Sequence, residues 1–199
     1  MSEQLTGDLP IFPLNAVLFP GGLLPLRIFE QRYMDMAKGC LKDDLPFGVS
    51  LIRSGNEVGV PATPEPIGCT ARIVEWDMAQ LGVLSIKTLG EQRFRIKSSR
   101  VTQAGLTRAE VEMLAPEEDA KLPDEFEACA ALLKAVIDEH GSGIVALPAQ
   151  LDSASWVGSR LTEILPVPLG AKQKLLELGD AMQRIEILNK FLLQHGLAR

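Results

Sequence analysis

The 199-residue chain is 46% hydrophobic and 23% charged, a balance that excludes disorder and collagen-like repetition and suits one large domain or two small ones. Twenty Lys and Arg against 26 Asp and Glu give a formal charge of −6, which disfavours a dedicated nucleic-acid binder because displacing counterions from phosphate needs a basic face. The acidity is uneven, with 12 basic and 13 acidic side chains in residues 1–116 but 8 and 13 in 117–199.

In chain order, the apolar, proline-marked run from Leu9 to Leu14 reads as an edge strand, since proline cannot donate to a ladder. Pro25 to Phe29 leads into a helix over 30–41, where Tyr33, Met34, Ala37 and Leu41 fall at helical spacing. Short β-branched or alternating runs over 47–53, 69–75, 83–89 and 93–97, separated by glycine-containing turns, read as strands. Another over 106–114 alternates Leu106, Arg108 and Glu110 with Thr107, Ala109, Val111 and Met113. Strands at this spacing predict a compact, partly closed sheet.

A charged, proline-bounded connector over 115–123 ends that pattern. Residues 124–140 place Phe126, Cys129, Ala130, Leu133, Val136 and Ile137 on one helical stripe, with Gly141 as its stop. A second helix over 152–165 carries Trp156, Leu161 and Ile164, and a third over 170–178 is followed by Gly179. Asp180 with Gln183 marks the start of a fourth, lined by Met182, Ile185, Leu188 and Leu192. The expected organisation is a β-rich subdomain over 1–116 and an α-helical subdomain over 117–199.

Cys40, Cys69 and Cys129 are odd in number, far apart and set among apolar neighbours, which fits buried thiols in a reducing cytoplasm rather than a disulfide framework or zinc ladder. The uncharged run from Leu9 to Leu26 approaches membrane-spanning length, but Pro10, Pro13, Pro20, Pro25 and Gly21-Gly22 interrupt it repeatedly. Glu3 and Asp8 before it do not form the positive start of a signal peptide. The expectation is a cytoplasmic protein without a membrane segment.

Catalytic motifs are missing from the sequence. Asp138, Glu139 and His140 are consecutive, so on a helix they point apart and cannot converge on one metal; His195 suits an interaction with helix C-terminal carbonyls. No phosphate-binding Gly-x-x-x-x-Gly-Lys-Ser/Thr loop, nucleophile elbow or Cys-x-x-Cys pair occurs, and Gly141-Ser142-Gly143 follows a helix where a dinucleotide turn must follow a strand. Paired acids such as Asp43-Asp44 read as solvated loop residues, and scattered carboxylates are the only support for a small hydrolase. Arg93, Arg95 and Lys97 share one face of a strand, a pattern that fits an anion or RNA contact or an exposed face meeting acidic neighbours. In the segment from Phe19 to Leu26, prolines and glycines hold the backbone out of helix and limit its ladder capacity, leaving its apolar side chains either exposed for partner binding or packed on Tyr33 and Met34.

The run from Leu9 to Tyr33, LPIFPLNAVLFPGGLLPLRIFEQRY, resembles the opening of the amino-terminal, substrate-binding domain of Lon-type ATP-dependent proteases. Phe47-Gly-Val49, residues 67–74 and residues 90–96 look like its successive strand motifs; residues 172–177, Asp180 and Arg184 resemble its helical end. The resemblance implies an α+β fold, a β-rich PUA-like pseudobarrel followed by an α-helical bundle. It implies a non-enzymatic, cofactor-free module that binds or presents unfolded or tagged protein segments as an adaptor, with a separately encoded protease as a further partner. The chain ends at Arg199, which leaves no room for the ATPase and serine-lysine peptidase modules of full Lon, and no catalytic residue is carried over. The expected contact surface comprises Phe19, Leu23 and Leu24 as apolar anchors with Arg27 and Arg93 as hydrogen-bond donors, unless the two arginines form internal pairs with Glu30 or Glu75. The alternative is an RNA-associated PUA-like module using Arg93, Arg95 and Lys97.

Overall fold

The computed structural model describes residues 6–141 and 143–197, Thr6 through its backbone alone; Glu3, Ser142 and Arg199, on which expectations above rest, lie outside the described residues. The chain divides into two units, Met1–Ala115 and Pro116–Arg199. The α+β class is observed, with the strands in the first unit and helices throughout the second.

The first unit contains β1 (Thr6–Leu14), β2 (Leu23–Ile28), α1 (Gln31–Asp43), β3 (Phe47–Ser54), β4 (Thr63–Pro64), β5 (Ile67–Gln80), β6 (Val83–Val101) and β7 (Thr107–Met113). Its ladders run β1–β7–β6–β5–β3, and β3 returns to β1, so five strands form a closed ring with β2 attached to β6 and β4 to β3. β1 closes the ring by dividing its length. Thr6 to Ile11 pair antiparallel with β7, and Ile11 to Leu14 pair parallel with β3. The expected edge strand is therefore a doubly bonded one, because two prolines remove only their own N–H donors and leave the remaining ladder groups of both halves usable.

Two expected strands, 83–89 and 93–97, are one 19-residue strand, β6. Gly90, which reads in sequence as a turn, lies inside it. A Cβ there would stand 2.2 Å from the Phe19 carbonyl oxygen, so glycine lets the 19–22 turn approach. The contact is a pair of backbone hydrogen bonds, Gly21 N to Gly90 O at 2.7 Å and Gly90 N to Gly22 O at 2.8 Å. The turn aims β2 along β6, and all six residues from Leu23 to Ile28 pair with it, so the limited ladder capacity expected of this stretch is not observed. Pro25 is tolerated because β2 is laddered on one side only.

The strand over 107–113 buries Thr107, Ala109 and Val111, three of the four residues that the alternation places together on one side. On α1 the buried set is wider than the expected stripe: Tyr33, Met34 and Ala37 enter the main core beside Phe12, Leu18 and Ile28, and Met36 and Cys40 are buried too. Phe12 and Tyr33 stack with ring centroids 3.9 Å apart. Asp44, left-handed at φ 51°, ends the helix by returning its N–H to the Cys40 carbonyl.

The second unit begins with a 3-10 turn (Asp124–Phe126) that leads into α2 (Glu127–His140), followed by α3 (Ala154–Ile164), α4 (Leu169–Glu177) and α5 (Ala181–Gln194). Ser153, one residue past the expected start, caps α3 by accepting from Trp156 N at 3.0 Å. Asp180 caps α5, its Oδ1 accepting from Met182 N at 2.8 Å and Gln183 N at 3.1 Å. α4 stops at extended Leu178, one residue before Gly179. Leu133, Val157, Leu161, Ile185 and Leu188 are buried, and so are two arginines, Arg160 and Arg184. Arg184 lies against Glu117, its Nη1 2.9 Å from Oε1, while Arg160 Nε donates to Glu163 at 2.7 Å.

Candidate functional site

The five expected contact residues all belong to the first unit, but the structure separates them by exposure. Phe19 is 1% exposed and Arg93 is buried, so neither is presented at the surface. Leu23 and Leu24 are half-buried in β2, with Leu24 packed against the main core and its carbonyl accepting from Thr88 Oγ1 at 3.0 Å. Arg27 is exposed, and its Nη2 lies 3.3 Å from Gln80 Oε1. The alternative internal pairs are not the observed ones: Glu30 holds Arg32 at 2.9 Å, and Glu75 holds Lys87 at 3.2 Å.

The basic triplet also divides. Arg93 is covered, whereas Arg95 and Lys97 are exposed and both approach Glu112 of β7, at 3.8 and 2.5 Å. One carboxylate on the adjacent strand is thus shared by two cations, the result of acidic and basic residues sharing one face of the β6–β7 ladder.

Two concavities among the described residues border these elements. The smaller, about 280 Å³, is bordered by Leu24, Pro25, Arg27, Phe29 and Tyr33, so it lies along the stretch singled out in sequence. The larger, about 720 Å³, lies between α1, β1, β7 and the loop joining β6 to β7. Its apolar lining includes Leu9, Met36, Leu45, Leu106, Val111 and Met113, with Asp35, Asp43 and Arg108 among the charged residues.

Two arginines set the walls of this larger groove. Arg32, buried near the start of α1, donates from Nη1 to the Gly105 carbonyl at 3.0 Å and places its guanidinium 4.6 Å from the Tyr33 ring centroid, which ties the helix to the β6–β7 loop. Arg108 Nε donates to Asp8 at 2.7 Å, and Arg100 reaches the same carboxylate at 2.9 Å. The hydrogen bond from Arg108 holds the Asp8 carboxyl below its ordinary value, so this wall stays ionised at neutral pH.

The groove combines an apolar lining with charged residues at its rim. Cys40 borders it, but burial raises its thiol above the ordinary value and keeps it protonated. Burial pushes Cys129 up to about 11. Among the described residues no three His, Cys, Asp or Glu side chains are grouped to hold a metal ion, and no helix is long and apolar enough to cross a membrane. His195 Nδ1 lies 2.8 Å from the Phe191 carbonyl, the helix-end role its position predicted.

Sequence reasoning missed Arg32, Leu45 and Leu106 as a group. Joining residues 9, 36, 45 and 106 requires the ring closure of β1, which no local pattern shows.

A family model described as the ATP-dependent protease La (LON) substrate-binding domain matches residues 8–194. The Lon protease of Anaeromyxobacter dehalogenans is 27% identical over 201 residues, covering 96% of this chain and 23% of the relative. The chain thus spans about a quarter of the length of the curated relatives it matches. The crystal structure of a Lon N-terminal domain protein from Xanthomonas campestris is 36% identical, with a TM-score of 0.77 over 92% of this chain and 98% of that one. The N-terminal domain of Mycobacterium avium complex Lon protease, 17% identical, shares the fold with a TM-score of 0.63 over 95% and 100% of the two chains.

Proposed function

Starting from the fact that the chain belongs to the family of the ATP-dependent protease La (LON) substrate-binding domain, we propose that it is a non-enzymatic adaptor that holds unfolded protein segments for proteolysis. The observation that carries this reading is the groove of about 720 Å³ on the first unit, with apolar side chains from β1, α1 and β7 and a charged rim. An apolar concavity of this size accepts several side chains of an extended segment, while rim charges orient its backbone and exclude poorly matched partners. Leu24 and Arg27, beside the smaller concavity, form the second arm of the contact surface in this reading. The three buried free thiols fit work in the reducing cytoplasm. From this surface the held segment passes to a protease module.

The test is capture of a fluorescently labelled, permanently unfolded protein such as reduced and carboxymethylated lactalbumin. Leu45, at 59% exposed, and half-buried Leu106 line the groove without lying deep in the core. Leu45→Asp and Leu106→Asp are expected to weaken capture roughly tenfold or more, with Leu45→Asp leaving the melting temperature within a few degrees of the parent. Sulfate should maintain or strengthen capture, because burial of apolar surface is favoured by excluded salts. Unchanged capture by both variants places the contact elsewhere and defeats the groove reading.

A further inference from the structure

The β5–β6 hairpin carries a feature that the groove does not use. β5 pairs with β3 only through Cys69, Thr70 and Ala71, and from Arg72 to Gln80 its ladder partners lie on β6 alone. Among the described residues, the other edge of that stretch is therefore a row of unladdered backbone groups. Val74 is 46% exposed, Trp76 62%, Met78 42%, and Leu81 at the turn 97%. Register places Trp76 beside Ile86, which is itself opposite Leu26, so the exposed indole continues a face whose inner part is core.

Another free edge, on β2, carries Pro25, a residue that blunts strand addition. β5 has neither proline nor lysine between Glu75 and Gln80. Its register shifts, between Ile73 and Glu75 and between Asp77 and Gln80, leave Glu75, Trp76 and Asp77 in unbroken register with β6 and place Met78 and Ala79 within the second shift. Glu75 and Asp77 stand on the face opposite Trp76, both exposed, with Glu75 shared with Lys87.

These charges select the occupant. Antiparallel pairing of two copies about Trp76 would set Glu75 of one directly opposite Asp77 of the other, a destabilising arrangement. A strand with basic residues on that face and apolar residues on the Trp76 face satisfies both. We propose that the edge of β5 centred on residues 75–77 is a docking edge for an extended protein segment in which lysine or arginine alternates with apolar residues. The segment adds as a further strand, its backbone completing the ladder, its apolar side chains covering Trp76 and Met78, and its cations facing Asp77. This surface is separate from the groove.

Fluorescence anisotropy of a labelled heptapeptide of alternating lysine and valine provides the test, with a glutamate–valine peptide and an alternately N-methylated lysine–valine peptide as comparisons. The lysine–valine peptide should bind saturably and the other two should not, since one mismatches the charge and the other cannot complete the ladder. Trp76→Ser should weaken binding roughly tenfold, and Asp77→Lys should reverse the preference toward the glutamate peptide. Leu45→Asp should leave peptide binding unchanged, which separates failure here from failure of the groove. Asp77→Lys carries the test should Trp76→Ser fold poorly. The proposal is overturned by absence of saturable binding, by binding indifferent to Trp76→Ser and Asp77→Lys, or by a concentration-dependent dimer that Trp76→Ser dissolves, which would assign the edge to a second copy.

Discussion

The two units solve the problem of a stable interior differently. The first is closed by backbone ladders, with β1 shared between β7 and β3, and most of its ion pairs are exposed or half-buried, as at Asp8 and Arg72. The second relies on side chains between helices, with Arg160 and Arg184 fully buried and Glu117 held against Arg184 and Ser155. Main-chain bonding tolerates exchange of the side chains around it, and that freedom lets the first unit keep an apolar groove and an exposed strand edge. Buried charge gives no such latitude.

Breaking the contrast at its strongest point should have the largest effect. Glu117→Ala leaves the Arg184 guanidinium without that carboxylate and should cost about 3–5 kcal/mol, read as a loss of melting temperature. Gly90→Ala should cost roughly 1–3 kcal/mol, because its methyl meets the Phe19 carbonyl and forces the 19–22 turn away from β6. Destabilisation by Gly90→Ala exceeding that of Glu117→Ala would reverse the ranking of ladder and buried charge.

Asp8→Asn should cost less than about 1 kcal/mol at neutral pH, since its pairs with Arg108 and Arg100 are solvent-screened. The Arg108 hydrogen bond lowers the folded-state value, so this contribution is present above the unfolded carboxyl value and is lost as pH falls through the folded one. Denaturant midpoints of parent and variant should converge in acid, and a gap that widens there would contradict the pairing. The smallest difference is in thiol labelling. Cys40, at the groove wall, should be alkylated before Cys129, whose thiol is both fully buried and raised to about 11.

Much of the fold is legible in local sequence because binary pattern and caps are local. The change of periodicity after residue 115, the alternation over 107–113 and the Asp180 cap each depend on neighbours within a few positions. Gly90 misleads because its role comes from residue 19, and β1 misleads because its partners lie near residues 48 and 110. The site suffers the same way. Phe19 reads as an exposed apolar residue in a proline- and glycine-rich run, yet that turn folds it inward, while the exposed row at Val74, Trp76 and Met78 resembles an ordinary strand until the missing neighbour is seen.

The division of β1 between two partners also sets an order of events during synthesis. Gly7 pairs with Val111, more than a hundred residues later, so the ring cannot close until nearly all of the first unit has left the ribosome. Through that interval Leu9, Ile11 and Phe12 form an apolar strand without its final neighbours. Pro10 and Pro13 interrupt the N–H row that another nascent chain would need to pair with it. The same two prolines that make β1 read as an edge strand thus disfavour premature association while its distant partner is being made.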